Sequence, residues 1–370
     1  MKKKKNVYKP HRYKDLPKNI LYIIAMAVLA YCFVVIGYSV AKPFGEIGEP
    51  PKPVLDSLTG EEGEPENDTK DDTSYKTYRI ADAEAEDLEN LKTKLMILPK
   101  KDYNTIIVPI KLDGGKLTYE TAYENAASYD ESSDTDIHDI CAAVKENGFT
   151  ACAMINTMHD HLYPLFNTQS GFLKKKDKSL WLDNGKSGDP WLDPSSSETK
   201  KYLSAISGEA AAAGFDYIVC TDVEYPKFNS ESLEEVSGNA NKKDRYLDLA
   251  DDVNAMSEAA DAQGGKLWLE IKASELLSGT SEVFFKPNML KADKYILDID
   301  MDGLKDSGVI KAFDKKSADK IIEEVLEKTE KKIYKTSFIP EITTTGDNAF
   351  TLNEFKKIME KRGYKSYVIK

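Results

Sequence analysis

The chain has 370 residues, of which 51 are Lys or Arg and 63 are Asp or Glu, so its formal net charge is −12 at pH 7. Residues 1–41 hold seven Lys, one Arg and one Asp, a net charge of +7, and the remainder therefore carries −19. Such an acidic remainder argues against nucleic acid and anionic lipid as its partners, because both are negatively charged.

Three segments of different composition precede the part of the chain that is expected to fold. Residues 1–19 are basic and predict a cytoplasmic tail, whereas residues 20–41 contain no charged side chain. At about 1.5 Å per residue, a helix of this length crosses a bilayer core of about 30 Å, so this run predicts a single-pass transmembrane signal anchor in the cell membrane. Residues 42–74 are acidic and rich in Pro and Gly, which predicts a disordered linker.

The charge flanking the anchor predicts its orientation. Basic flanks stay in the cytoplasm, so residues 75–370 are predicted to form a domain outside it. Cleavage after Ala41 is the alternative to a retained anchor, because residues 39–41 have the small side chains of a signal-peptidase site.

From Tyr75 onward, apolar runs typical of strands alternate with helical patterns. The predicted strands are Tyr75–Ile80, Asn104–Lys111, Thr150–Thr157, Phe215–Val223, Lys266–Ile271, Lys294–Ile299, Lys332–Ile339 and Tyr364–Ile369. The predicted helices are Glu84–Leu98, Asp134–Asn147, Ser195–Ala213, Tyr246–Gln263, a weak one at Lys305–Phe313, Ser317–Thr329 and Thr351–Arg362. Eight strands alternating with helices predict an α/β fold of the (β/α)8 TIM-barrel type. An open doubly wound sheet is the alternative, although the glycine-rich loop that often follows its first strand is missing.

The stretch from Trp191 to Pro226 is the most informative part of this pattern. Ser195, with Glu198 three residues later, is expected to cap a helix that ends at Gly214. Asp222 and Glu224 then stand at the end of a short apolar strand. In barrels of this type, catalytic groups are built at the carboxyl ends of the strands.

Carboxyl groups at the strand ends suggest glycoside hydrolysis, which needs two of them across the scissile bond. We predict Asp222 or Glu224 as one catalytic group and Glu270 as the other. Glu270 lies within the apolar run LWLEI, where partial burial suits a general acid. Ion pairing with Lys272, two residues later on the same face of the strand, is the alternative role.

Other side chains are predicted to position a sugar: Trp191, Trp181, Asn156, Lys111 and Asp298. The two Trp rings lie on the long connection 158–193, where they either stack on sugar rings or pin the connection to the barrel.

No metal or cofactor is predicted. His159, Asp160 and His161 come from one short loop, and adjacent residues rarely supply a full ligand set. The sequence also contains no P-loop, HExxH or G-x-S-x-G motif.

Three passages carry a family resemblance. They are Ile106–Thr121, Ala151–Phe166 and the Trp191 stretch, whose matching residues are Trp191, Asp193, Pro194, Tyr202, Gly214, Phe215, Asp216 and Pro226. These passages resemble the putative glycoside hydrolase family of bacterial exported proteins, of which this chain looks like a divergent member. The resemblance implies a glycosidase-like barrel.

Several polar positions of that family are replaced here. Its strand-four Asp and Arg fall on Thr221 and Glu224, its strand-two Asp on Pro109, and its strand-three Arg on Met154. The resemblance therefore implies the fold more firmly than the chemistry. The predicted function is a membrane-anchored, extracytoplasmic barrel that acts on or binds polysaccharide through an acidic mouth. The alternative is a catalytically degenerate barrel that binds cell-wall glycan or a protein as a scaffold.

Overall fold

The structure is a computed structural model that describes residues 73–127, 133–183, 188–278, 290–311, 318–333, 337–342 and 351–370. The predicted tail, anchor and almost all of the linker fall outside these residues. Across the described ranges, no helix combines the length and the apolar character that crossing a bilayer requires.

Eight parallel strands close into a barrel in chain order. They are β1 (Lys76–Arg79), β2 (Thr105–Lys111), β3 (Thr150–Asn156), β4 (Tyr217–Thr221), β5 (Lys266–Lys272), β6 (Lys294–Asp298), β7 (Phe338–Ile342) and β8 (Tyr367–Ile369). β8 pairs with β1, with Val368 opposite Thr77. The predicted barrel is therefore confirmed, and the open sheet is excluded.

Helices lie between the strands and cover the outside of the barrel. They are α1 (Asp82–Ala85), α2 (Leu88–Ile97), α3 (Glu124–Ala127), α4 (Ile137–Glu146), α5 (Tyr163–Phe166), α6 (Ser197–Ala212), α7 (Ser230–Glu235), α8 (Tyr246–Asp261), α9 (Ala273–Ser278), α10 (Met301–Asp306), α11 (Ala318–Glu330) and α12 (Leu352–Arg362). Four of the predicted helices are each followed directly by a glycine with φ between +74° and +99°: Gly148, Gly214, Gly264 and Gly363. Glycine adopts this left-handed conformation without the steric cost that a Cβ imposes.

The interior of the barrel is apolar up to its carboxyl end. Side chains of a strand alternate between its two faces, so every second residue points inward. Tyr75, Tyr217 and Trp268 pack together, with the Trp268 ring 4.9 Å from that of Tyr75, edge to face, and 4.3 Å from that of Tyr217. The inner cluster is completed by Ile107, Cys152, Met154, Val219, Ile296, Ile339 and Val368. A larger apolar cluster fills the space between the sheet and the helices.

Two predicted helix starts are wrong because of local hydrogen bonds. Asp193 Oδ1 accepts from the backbone N–H and the hydroxyl of Ser195 at 2.8 and 2.7 Å, so Ser195 belongs to a turn. Ser196 caps α6 instead, accepting from the N–H of Glu198. The weak helix predicted at Lys305–Phe313 lies earlier, at Met301–Asp306, because Asp300 caps it by accepting from the N–H groups of residues 302 and 303.

Two further boundaries differ from the prediction. The helix predicted at Glu84–Leu98 is divided into α1 and α2, since Asp87 caps a new helix. The seventh strand begins at Phe338 rather than Lys332, because the N–H groups of Lys332 and Ile333 both bond the carbonyl of Thr329 and close the end of α11.

Candidate active site

Above the apolar interior, the inward rows of the strands end in polar side chains. This mouth layer consists of Arg79, Asn156, Thr221, Glu270, Asp298 and Glu341. Five of them are the next inward residue on their strand after the apolar cluster, and Arg79 follows Tyr75 and the buried Thr77 on β1. The alternation of strand side chains therefore places the six together.

Arg79 lies at the centre of this layer. Its Nη2 donates to Glu341 Oε2 at 2.6 Å and also contacts Glu270 Oε2. Burial opposes the charge on Arg79, but the carboxylates of Glu270 and Glu341 outweigh it and raise the pKa of the guanidinium. Because one nitrogen contacts both carboxyl groups, Arg79 holds the ends of β5 and β7 together.

Glu341 is completely buried beneath the mouth. Burial raises its pKa to about 8, although the charge of Arg79 acts in the opposite direction. Its Oε1 has no hydrogen-bond partner among the described residues. Near neutral pH this side chain therefore favours the protonated form.

Asp298 lies next to Glu341 on the neighbouring strand, where the two residues are paired in register. Burial, followed by the charge of Glu270, raises the pKa of Asp298 to about 6. Its Oδ1 is buried and has no hydrogen-bond partner in the described part of the chain. A carboxyl group with such a pKa can donate a proton in mildly acidic or neutral solution.

A small cleft lies at the edge of this layer, between the ends of β4 and β5. Five charged residues line it: Asp222, Glu224, Glu270, Lys272 and Glu275. The apolar part of its wall comes from Val223, Leu269, Ile271 and Leu276. The three acids predicted to be catalytic are thus brought to one cleft.

Lys272 contacts two of these acids. Its Nζ donates to Glu224 Oε1 at 3.0 Å and to Asp222 Oδ1 at 3.3 Å. Burial acts to lower the pKa of Lys272, but the two carboxylates outweigh it and raise the pKa. Lys272 therefore does not pair with Glu270, the alternative considered from the sequence, because Glu270 contacts Arg79 instead.

Asp222 is held in an uncommon backbone conformation. Its φ of +49° lies in the left-handed region, which Asp tolerates better than most residues. Its Oδ2 accepts from Asn156 Nδ2 at 2.8 Å. Asn156, predicted to position a sugar, thus orients Asp222 at the cleft.

Two of the residues predicted to contact a sugar, Lys111 and Trp181, are enclosed by other parts of the chain. Lys111 is fully buried and pairs with Asp160 Oδ2 at 2.9 Å, while also donating to the carbonyl of Asn156. The pairing of β2 with β3 shifts register between Pro109 and Lys111. Lys111 therefore stabilises the loop after β3 and has no surface that a glycan can reach.

Trp181 is 3% exposed and packs against Phe172 and Phe228. The Trp181 ring therefore packs the connection 158–193 against the segment after β4 that carries Phe228. This is the second of the two roles that the sequence suggested for the Trp rings. Trp191 is only half-buried; its Nε1 donates to Asp183 and its ring lies 4.5 Å from that of His159. It remains available as an aromatic surface near the end of β3.

Sequence reasoning missed Arg79 and misplaced Glu341. Tyr75, Thr77 and Arg79 alternate along β1, so the inward direction of Arg79 was readable from the strand pattern. Glu341 falls two residues after Ile339, where the seventh strand was predicted to end, but it lies within β7.

Comparisons with known proteins agree with this architecture. Residues 78–265, from β1 through α8, match the family described as "Putative glycosyl hydrolase domain". The structure is similar to the glycoside hydrolase domain of PgaB (BpsB) from Bordetella bronchiseptica, with a TM-score of 0.53, 11% identity, and coverage of 80% of this chain and 92% of that one. It also matches a hypothetical protein from Ruminiclostridium thermocellum, with a TM-score of 0.42, 19% identity, and coverage of 52% and 96%. No curated protein sequence matches.

Proposed function

Because this chain belongs to the family of putative glycosyl hydrolase domains, we propose that it binds a glycan at its barrel mouth and hydrolyses a glycosidic bond there. The observation that carries the proposal is the cleft between β4 and β5, where Asp222, Glu224 and Glu270 face one opening. Paired carboxyl groups on the two sides of a sugar linkage are what this hydrolysis requires.

The roles in the proposal follow from the surroundings of each carboxyl group. Glu270, held by Arg79, serves as the carboxylate that attacks the sugar or activates water. Asp298, whose pKa is about 6, supplies the proton for the leaving oxygen. Asp222 and Glu224, both held by Lys272, position the sugar. That one of them is the second catalytic group stays a prediction.

The test is turnover by the full chain, kept in mild detergent because of the apolar residues 20–41. It is incubated with a glycan array, and released oligosaccharides are detected by mass spectrometry. Asp298→Asn and Glu270→Gln are expected to abolish release. Asp251→Asn, which removes an exposed carboxylate paired with Lys200, is the matched control and should keep full activity.

A second function is favoured by two observations. The three predicted acids are all ion-paired, two with Lys272 and one with Arg79. Thr221 and Met154, which replace polar residues of the resembled family, are also buried in the barrel. A barrel that binds glycan without cleaving it fits these facts. Unchanged glycan binding with no turnover, in the native chain and in Glu270→Gln alike, would support this alternative and reject hydrolysis.

The proposal includes an extracytoplasmic location, with the chain anchored to the membrane by residues 20–41. The support is the uncharged run and the basic flank that precedes it. Protease added to intact protoplasts is expected to digest residues 75–370, whereas protection of this region until the membrane is lysed would contradict the location.

A further inference from the structure

We propose that the amino-terminal end of the barrel binds the surface of an anionic bilayer. The surface concerned, called the amino-end patch, is formed where the chain enters β1, β2 and β8 and by the end of α2. Its members are Lys76, Met96, Ile97, Lys100, Lys101 and Lys365. This inference rests on the membrane anchoring that is part of the proposed function, because it names the face of the barrel that contacts the lipid.

Two apolar side chains of the amino-end patch lie open to solvent. Met96 is 68% exposed and Ile97 is 71% exposed, which makes them the most exposed large apolar side chains in the described ranges. They end α2, whereas the next residue, Leu98, is buried. Apolar side chains that stand beside basic ones on a surface are typical of proteins that insert into the boundary between lipid headgroups and acyl chains.

A turn displays two lysines directly after this apolar pair. The N–H of Asp102 donates to the carbonyl of Pro99 at 2.9 Å, so Lys100 and Lys101 form the tip of the turn. Both lysines are exposed, and neither has an ion-pair partner in the part of the chain that the structure describes. The acid of the turn, Asp102, is paired with Lys356 at 2.6 Å. The turn therefore presents an excess of positive charge to its surroundings.

The chain enters the barrel at the same surface. The hydroxyl of Ser74 donates to the carbonyl of Lys365 at 2.6 Å, and Asn104 Nδ2 donates to the carbonyl of Ser74 at 2.6 Å. Asn104 Oδ1 also accepts from the N–H of Lys76 at 2.8 Å, so the three entering segments meet. The predicted linker therefore joins the barrel at the amino-end patch. A flexible chain of its length spans on the order of 30 Å, and such a tether gives a local concentration on the order of mM, so a weak contact with lipid suffices.

The net negative charge of residues 42–370 does not oppose this contact, because the acids of the mouth lie at the other end of the barrel. The strands are parallel, so lysines that precede them, such as Lys76 and Lys101, are far from acids that follow them, such as Glu224. β2 and β3 each have seven residues, which rise about 23 Å at about 3.3 Å per residue. This length exceeds the Debye length of about 10 Å at 0.1 M salt, so the nearby lysines decide the attraction to lipid.

The experiment places the full chain in lipid nanodiscs, with a single chain per disc, and detects lipid contact by quenching of tryptophan fluorescence. All discs hold the same fraction of brominated phosphatidylcholine, which quenches indole rings close to the acyl chains. The remaining lipid is phosphatidylglycerol in anionic discs and unbrominated phosphatidylcholine in neutral discs. In Ile97→Trp, we expect the added emission to be lost in anionic discs and kept in neutral discs. Leu247→Trp, near the start of α8 at the mouth end of the barrel, is the matched control and should keep its emission in both.

Three results would count against the inference in distinguishable ways. Equal emission from Ile97→Trp in the two kinds of disc would overturn it and leave the anchoring intact. Equal quenching of Leu247→Trp and Ile97→Trp would show lipid contact without a preferred face and would overturn it as well. A chain that does not enter the discs at all would overturn the proposed anchoring and, with it, this inference.

The role of the lysines is tested in the Ile97→Trp background. Lys100→Glu combined with Lys101→Glu reverses the charge of the turn and is expected to restore the emission in anionic discs. Lys242→Glu combined with Lys243→Glu changes two adjacent exposed lysines after β4, at the mouth end, and should leave the quenching unchanged. Equal restoration by both pairs would show a response to net charge alone and overturn the assignment to the patch. If the first pair prevents folding, salt at about 1 M, where the Debye length is about 3 Å, should restore the emission instead; quenching that persists there would overturn the inference.

Discussion

The substitution Glu341→Gln is expected to change how the stability of the chain depends on pH. Glutamine has the size of the protonated acid and does not titrate. Because burial raises the pKa of Glu341 from an ordinary 4.5 to about 8, its contribution to stability is fully present below pH 4.5 and is lost as the pH rises through about 8. In that range the unfolded carboxyl group releases its proton and the folded one retains it.

The size of this effect follows from the two pKa values. One tenfold change in a protonation equilibrium corresponds to about 1.4 kcal/mol, so the loss between pH 5 and pH 8 is on the order of 3 kcal/mol. Urea unfolding of the full chain at pH 5, 6, 7 and 8 measures it. The native free energy of unfolding should fall across this range by about that amount more than that of Glu341→Gln.

The comparison uses the slope with pH because Glu341→Gln also changes a group that Arg79 contacts. Glu330→Gln is the matched control, since Arg362 Nη2 donates to Glu330 Oε2 at 2.9 Å in a pair that is a quarter exposed. It removes an Arg–Glu contact without removing a buried acid. Parallel curves for the native chain and Glu341→Gln from pH 5 to pH 8 would refute the reasoning.

Two further substitutions test buried groups elsewhere. Asp252→Asn should raise the melting temperature at pH 7 and have a smaller effect at pH 4. The reason is that burial raises the pKa of Asp252 and that neither of its carboxyl oxygens has a partner in the described residues. A lower melting temperature at pH 7 would contradict this. Gly115→Ala should lower the free energy of unfolding by at least about 2 kcal/mol. The φ of Gly115 is +101°, and a Cβ there would lie 2.1 Å from Asp160 Oδ1, where it would disturb the buried ion pair between Asp160 and Lys111. Gly264→Ala, with φ of +84° and no atom within 4 Å, is its control and should cost about 1 kcal/mol; equal costs for the two would show that the pair is unaffected.

The candidate site was only partly predictable from the sequence. Asp222, Glu224 and Glu270 were expected at one mouth because the carboxyl ends of parallel strands meet on one face of a barrel, and they do line one cleft. Their partners were not predictable. Lys272 had been weighed as a partner of Glu270, but closure of the barrel brings Arg79 to Glu270 across 191 residues of chain.

The burial of Lys111 shows the same limit. A lysine at the end of a strand is usually solvated, and nothing local in the sequence indicates otherwise. The register shift between β2 and β3 and the loop that carries Asp160 decide its environment. An ion pair of this kind depends on residues 49 positions apart, so a strand pattern alone does not reveal it.

By itself, the sequence determined the order and type of the elements of this barrel. Those properties depend on neighbouring residues: the alternation of apolar side chains, and glycines such as Gly148, Gly214 and Gly363 that end helices where φ must be positive. The tertiary structure alone decided which charges meet at the mouth and which are buried. Arg79, Glu270 and Glu341 come from three separate strands. The ionisation of Arg79 and Glu341 depends on the loss of water and the short distances that arise only when the barrel closes.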